Sequence, residues 1–224
     1  MISVAIDGPA GAGKSTISRR LAGELGYLHV DTGALYRTVG LYALRKGVPT
    51  TDWEAVTALL PELKIDLAFT EAGQRVLLLG EDVSEAIRTP EASKASSDVS
   101  AIPEVRAYLL ELQRSLAREH DVIMDGRDIG TVVLPDATVK IFLTASPEAR
   151  ARRRYLEQQE KGVRESYEDV LSSIRERDYN DSHRAAAPMR QAEDAWLCDT
   201  SDLTFEESVR VIADHIRQKT GKEA

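Results

Sequence analysis

This sequence predicts an α/β fold in which a parallel sheet is covered by helices on both faces. Short β-rich apolar runs alternate along the chain with longer segments of helical periodicity, which implies right-handed βαβ crossovers. The run Ile2 to Ile6 is apolar at all but one position, as strands buried on both faces are. Size agrees: 224 residues, 42% of them hydrophobic and 29% charged, can bury ~70% of the unfolded surface without a covalent staple.

Taken in order, Ile2 to Ile6 reads as a strand that ends at Gly8 and Pro9. Beyond the loop Gly8 to Gly13, Ile17, Leu21 and Leu25 recur every four residues, and Gly26 stands where a helix stops. Tyr27 to Val30 restarts as a strand. Asp31-Thr32 caps a helix over Ala34 to Lys46, which Gly47 closes and Pro49 keeps from continuing. Thr51 with Glu54 forms a capping pattern ahead of a helix holding Trp53, Val56 and Leu60. Ile65, Leu67 and Phe69 then alternate with polar residues, and Glu71-Ala72-Gly73 turns the chain into Val76-Leu77-Leu78-Leu79 and Gly80-Glu81-Asp82. That pattern predicts a small antiparallel insertion over 64–84. Thr89-Pro90 opens one helix, and Pro103 opens a longer one through Val105, Leu109, Leu112 and Leu116 to about His120. Strands follow at Val122 to Met124 and Val139 to Leu143. Ser146-Pro147-Glu148 opens a helix carrying Arg150, Arg152, Arg153 and Arg154, and Tyr167 to Tyr179 is helical again. Ala195 to Cys198 is the last strand, and the closing helix runs from Phe205 to Lys219 through Val209, Ile212 and Ile216.

Composition narrows the function. A net charge of −8 argues against general nucleic-acid binding, where affinity comes from a basic face. Cys198 is the only cysteine, so a disulfide framework and a cysteine-rich metal cluster are excluded and a reducing compartment is implied. The start of the chain has neither the basic flank nor the apolar length of a secretory signal, so the expectation is a cytoplasmic protein without a membrane partner, and a monomer.

The sharpest chemical signal is Gly8-Pro9-Ala10-Gly11-Ala12-Gly13-Lys14-Ser15-Thr16, which fits G-x-x-x-x-G-K-[ST] behind a strand and ahead of a helix. Glycines let consecutive backbone N–H groups converge on an anion, and the helix N-terminus adds partial positive charge. Lys14 is expected on the β- and γ-phosphates of ATP, and the Ser15 hydroxyl on Mg²⁺. Asp125, at the end of Val122-Ile123-Met124-Asp125, is the expected second metal group, directly or through a water; a plain strand-ending turn explains it equally well on its own. The neighbouring Gly126-Arg127-Asp128 favours a site, because open α/β sheets bind ligands at the carboxyl ends of their strands.

Arg150, Arg152, Arg153 and Arg154 crowd one helical stretch, relieved in part by Glu148 and Glu157. A solvated face accounts for such a run; a flap over ATP, extending through the polar Glu157 to Gly162, accounts for it too, with Arg150 and Arg153 on the nucleotide. Arg177, Asp181 and Arg184 are spaced by four and three, so one helix face presents all three, as a surface ion-pair ladder or as part of a site. Asp31 and Thr32, ahead of Tyr36 and Arg37, are open between helix capping and ligand binding. The four histidines have no metal-ligand spacing.

Together these residues resemble the bacterial cytidylate kinases. The likeness rests on the stretches 6–16, Asp31-Thr32-Gly33-Ala34-Leu35-Tyr36-Arg37, Gly80-Glu81-Asp82-Val83-Ser84, Ile87-Arg88-Thr89, Asp125-Gly126-Arg127-Asp128-Ile129-Gly130-Thr131 and Lys140-Ile141-Phe142-Leu143. The resemblance implies a P-loop nucleoside monophosphate kinase fold over 1–224, with a monophosphate-binding region over 31–101 and an arginine-rich helical lid over 146–166. It implies transfer of the γ-phosphoryl group of ATP to CMP or dCMP. Thr32, Arg37, Arg127 and Arg184 would hold the 5′-phosphate, Tyr36, Arg177 and Asp181 the sugar, and Ser97, Arg106 and Asp128 cytosine. Lys14, Arg127, Arg153 and Arg184 form the expected catalytic set. Thr32 stands where the family carries serine, and both supply a hydroxyl. Chemistry supports the cytosine assignment, since a carboxylate accepts from the cytosine N4 amino group and an arginine donates to O2 and N3. A kinase for UMP or AMP, or a non-catalytic ATP switch, are the competing readings.

Overall fold

The computed structural model describes residues 1–70, 73–160 and 162–221. Five strands form a parallel sheet in the order β2 (Leu28–Asp31), β6 (Val122–Gly126), β1 (Ser3–Asp7), β7 (Val139–Thr144), β8 (Trp196–Asp199). Alternation along these strands divides the core in two. Val4, Ile6, Ile123, Ile141 and Leu143 point to one face, where they meet Ile17 and Leu21 of α1 (Lys14–Leu25) and Val209, Ile212 and Ile216 of α8 (Phe205–Thr220). Ala5, Val30, Val122 and Met124 point to the other, against Leu110 and Leu116 of α5 (Pro103–Glu119). Every residue of β6 is buried, so Asp125, one residue before its end, is enclosed by the fold.

A second core lies beside the sheet. Leu35, Val39 and Ala43 of α2 (Thr32–Arg45), Val105 and Leu109 of α5, and Val76 and Leu78 of β4 (Gly73–Leu78) pack together there. The insertion is antiparallel as expected: β3 (Ile65–Thr70) pairs with β4 from Ile65↔Leu78 to Thr70↔Gly73. Glu81–Asp82 form a short third strand of the same antiparallel sheet, β5, through Leu77↔Asp82 and Leu78↔Glu81. Residues 71 and 72 of the preceding turn, and Lys161 in the polar run, lie outside the described residues.

Several boundaries depart from the sequence reading. Asp31 caps α2 as expected, its Oδ1 accepting from Ala34 N at 3.0 Å. The cap of α3 (Trp53–Leu59) is Asp52, not Thr51: Asp52 Oδ1 accepts from Ala55 N at 3.1 Å, a shift of one residue that the local sequence permits because both side chains are good caps. Between α2 and α5, α4 (Pro90–Val99) starts at the expected Thr89-Pro90. The helix pair α6 (Pro147–Glu160) and α7 (Tyr167–His183) packs around Ala151, Val170 and Ile174. Because α7 ends at His183, Arg184 is its C-cap in extended backbone rather than a member of a helical face. Between β6 and β7 the chain makes a single π-helical turn, Ile129–Val133.

Candidate active site

At the carboxyl end of β1 the chain must turn sharply, and the glycines are placed where the backbone demands them. Gly8 has φ +145°, and a Cβ there would lie 1.9 Å from the Leu143 carbonyl oxygen. Gly11 and Gly13 have φ +76° and +86°, and Gly13 caps α1. Lys14 is buried, and its Nζ donates to Pro9 O at 2.8 Å, folded back across the loop it serves. Burial, reinforced by Arg127, holds the Lys14 pKa well below the usual lysine range.

Asp7, directly before this loop, ties the end of β1 to the turn after β6. Its oxygens accept from Ile129 N and Gly130 N, both at 2.7 Å, fixing the turn that follows Asp128. Burial pushes its carboxyl up to about 6 from 3.8, against those two hydrogen bonds. The folded state therefore keeps a proton at pH 5 that the unfolded chain has released. This group's contribution to stability is complete below pH 3.8 and is lost as the pH rises through about 6, a change of about 3 kcal/mol. Urea unfolding of the wild type and Asp7→Asn from pH 4 to pH 7.5 should show the wild type losing stability relative to the variant as pH rises. A constant difference would contradict the assignment.

The side chain of Ser15 leads from the phosphate loop to Asp125. Its Oγ donates to Asp125 Oδ2 at 2.6 Å, while His29 Nε2 lies 2.7 Å from Asp125 Oδ1. Thr32 Oγ1 donates to the Asp125 carbonyl at 2.7 Å, tying the start of α2 to the end of β6. A hydroxyl and a carboxylate side by side are the hard oxygen donors that Mg²⁺ takes when phosphates and waters complete its shell. The donor chemistry thus fits that ion. No group of three or more His, Cys, Asp or Glu able to hold a metal occurs among the described residues.

Beyond Asp125, the same strand end delivers a cluster of guanidinium groups. Arg127 Nε donates to Asp181 Oδ2 at 2.8 Å. Asp128 is paired with Arg106 and, at 3.4 Å, with Arg184. Arg177 Nη1 donates to Ser93 Oγ at 2.9 Å, and Arg184 Nη1 to Ser100 Oγ at 3.1 Å. Arg106 stacks 5.6 Å from the Tyr36 ring centroid and donates to the Ser100 carbonyl. Burial pushes Asp128 up against the pull of Arg106 and Arg184, whereas around Asp181 the guanidinium groups of Arg127 and Arg177 outweigh burial and hold the carboxyl below its usual range. Burial, with Arg127 beside it, lowers Arg177 to about 10, so it remains a cation at neutral pH. The four partly buried cations Arg106, Arg127, Arg177 and Arg184 around the two carboxylates of Asp128 and Asp181 leave an excess of positive charge, which a bound anion would balance.

The sequence profile of the cytidylate kinase family matches residues 4–218. The chain belongs to the cytidylate kinase family. It is 50% identical over 222 residues to the cytidylate kinase of Caldicellulosiruptor saccharolyticus, covering 99% of this chain and 98% of that one. It is 48% identical to the cytidylate kinase of Lactobacillus johnsonii over 98% of this chain and 95% of its relative. An uncharacterized protein from Eubacterium ventriosum shares the fold, with a TM-score of 0.52 at 12% identity over the whole of both chains. As a member of this family the chain is an ATP-dependent kinase. No helix among the described residues is long and apolar enough to cross a membrane.

Most residues expected from the cytidylate kinase motifs meet in this one region, but their present partners differ. Arg37 is bound to Asp31 through Nη2 at 2.8 Å. Ser97 lies on α4 between Ser93 and Ser100, the two serines that accept from the arginines. Arg150 is buried as part of the phosphate loop's frame: it donates to Ala10 O and Ala145 O and pairs with Asp178 at 2.7 Å. Its carboxylate partner is therefore Asp178, while Glu148 pairs with Arg175 of the adjacent helix. Arg153 donates to the carbonyls of Thr200 and Leu203. Sequence reasoning missed Asp7, His29 and Gln74. Gln74 of the insertion accepts from Asp31 N at 2.9 Å and donates back to Asp31 O, joining β4 to the start of α2. Each reaches a partner distant in sequence; for Asp7 and His29 the only local sign was a polar residue within an apolar strand, and Gln74, beside Gly73 and Arg75, had none.

Proposed function

We propose that this kinase transfers the γ-phosphoryl group of ATP to CMP or dCMP, giving ADP and CDP or dCDP, with Mg²⁺ as cofactor. One observation carries the reading: the consecutive residues 125–128 touch Ser15 of the phosphate loop through Asp125 and the arginine cluster through Arg127 and Asp128. Donor and acceptor pockets thus share one strand end, the requirement for direct in-line transfer.

On this reading the loop Gly8 to Gly13, with Thr16 at the start of α1, cradles the triphosphate, and Lys14 exchanges the Pro9 carbonyl for phosphate oxygens. Ser15 and Asp125 would hold Mg²⁺, which neutralises phosphate charge when bound. In the region 31–101 and its facing residues, Arg37, Arg127, Arg184 and Thr32 take the CMP phosphate, Tyr36, Arg177 and Asp181 the sugar, and Ser97, Arg106 and Asp128 the base. Lys14, Arg127, Arg153 and Arg184 balance charge on the transferred group. Arg150 supports the cradle from beneath, and the rest of the segment 146–166, with Arg153, closes over ATP and excludes water. The acceptor phosphate is already anionic, so no general base is needed, and Asp128 serves recognition. Arg127 and Arg177 exchange their present partners Asp181 and Ser93 for substrate oxygens as the site fills.

The test is ATP-dependent phosphorylation of a panel of monophosphates. CMP and dCMP should exceed UMP and AMP in kcat/KM by about tenfold or more, the size of one buried donor–acceptor mismatch. Preference for UMP or AMP would remove the cytosine assignment, and ATP binding without turnover would favour a switch.

A further inference from the structure

We infer that His29 is a positioning residue, fixing which oxygen of Asp125 is presented to a divalent cation beside Ser15; the inference rests on the metal site proposed above. In the register of β2 against β6, His29 lies opposite Ile123 and Asp31 opposite Asp125. Alternation therefore sets His29 on the same sheet face as Asp125, one step diagonally behind it, under the start of α1. Its ring nitrogen lies 2.7 Å from Asp125 Oδ1, and both side chains are almost wholly enclosed, at 11% and 4% exposure.

The two oxygens of Asp125 are thereby given different tasks. Oδ1 is engaged from within the fold by His29, and Oδ2 is left to the Ser15 hydroxyl, the group next to the phosphate loop. A carboxylate anchored at one oxygen cannot rotate freely, so the other is held ready for a cation. The Thr32 hydroxyl fixes the Asp125 carbonyl in the same way, so backbone and side chain are restrained independently. His29 also lines a cavity of about 130 Å³ that Ser15, Asp31, Arg37, Gln74 and Arg88 share. An apolar replacement would leave Oδ1 enclosed without its partner, free to turn toward the Ser15 hydroxyl or the cavity.

Partners of this kind, one step removed from the ion, change metal affinity ~10–100-fold when lost. The experiment is a titration of Mn²⁺, followed by its electron paramagnetic resonance, into the whole chain saturated with a non-hydrolysable ATP analogue. His29→Leu should weaken Mn²⁺ about 10–100-fold, while analogue binding in EDTA stays within about threefold of wild type. His29→Gln, whose amide N–H can still donate to Oδ1, should recover most of the loss. Unchanged Mn²⁺ affinity in His29→Leu, an equal loss in His29→Gln, or an equal fall in EDTA would overturn the role. Asp125→Asn separates the two levels. If it weakens Mn²⁺ and His29→Leu does not, only the positioning role fails; if it leaves Mn²⁺ unmoved, the metal site fails and this inference with it.

Discussion

Replacing Lys14 with alanine should lower kcat by about 10²–10³-fold, the usual cost of removing one charge-stabilising donor from a transition state, without unfolding the protein. The two halves of that expectation have separate physical origins. Lys14 is 6% exposed, and its ammonium donates within the loop to the carbonyl of Pro9 at 2.8 Å. Burial and the nearby Arg127 both work against its charge, so the folded protein gains little from it. An ammonium kept at such a disadvantage is ready to trade a carbonyl for a triphosphate, and the relief is greatest when charge spreads over the transferring group. The fold itself rests on Gly8, whose position against Leu143 O tolerates no side chain, on Arg150 beneath the loop and on Asp7 directly before it, all untouched by the substitution. Single-turnover kinetics with a thermal unfolding curve would check both halves. Near-wild-type turnover would remove Lys14 from the chemistry, and a large loss of stability would mean that its buried contacts matter more than its charge.

The contrast between Lys14 and Arg150 explains what was legible in the sequence. The phosphate loop is a local object: eight consecutive residues, a strand before and a helix after fix its backbone, so the pattern alone predicts its geometry. The parallel sheet was legible for a similar reason, because strands buried on both faces are written as near-continuous apolar runs. Arg150 looks like its neighbours Arg152 to Arg154 in sequence. Its burial against Ala10 O and Asp178 arises only when α6 and α7 pack behind the loop, a contact across 140 positions of the chain. His29, Asp7 and Gln74 share that property, each finding its partner 43 or more positions away. Arg127, Asp128, Arg177, Asp181 and Arg184 fall between these cases. Spacing placed Arg177 and Asp181 on one helical face, but a surface ladder has the same spacing, and only burial separates the two.

Asp128→Asn should produce two effects at once, and their combination is the more demanding test. Asp128 is 4% exposed and is the carboxylate between Arg106 and Arg184, both themselves largely enclosed. Removing its charge while keeping its shape leaves those two cations facing each other without an intervening anion, and a loss of about 3 kcal/mol in unfolding free energy is expected. Burial already works against ionised Asp128, so the loss should sit at the low end of what breaking a buried pair costs. Selectivity follows from the hydrogen-bonding inventory. An ionised carboxylate only accepts, which matches the N4 amino group of cytosine and opposes the O4 carbonyl of uracil; an amide accepts at one atom and donates at the other, and by turning over it satisfies either base. The ratio of kcat/KM for CMP over UMP should therefore fall by about tenfold or more, mainly through better use of UMP, with Lys14 and the ATP side unaffected. Measuring kcat/KM for both nucleotides at a temperature well below the variant's unfolding midpoint keeps the two effects apart. A destabilised variant with unchanged selectivity would confine Asp128 to holding Arg106 and Arg184 in place, and the base would then have to be read by those two arginines alone.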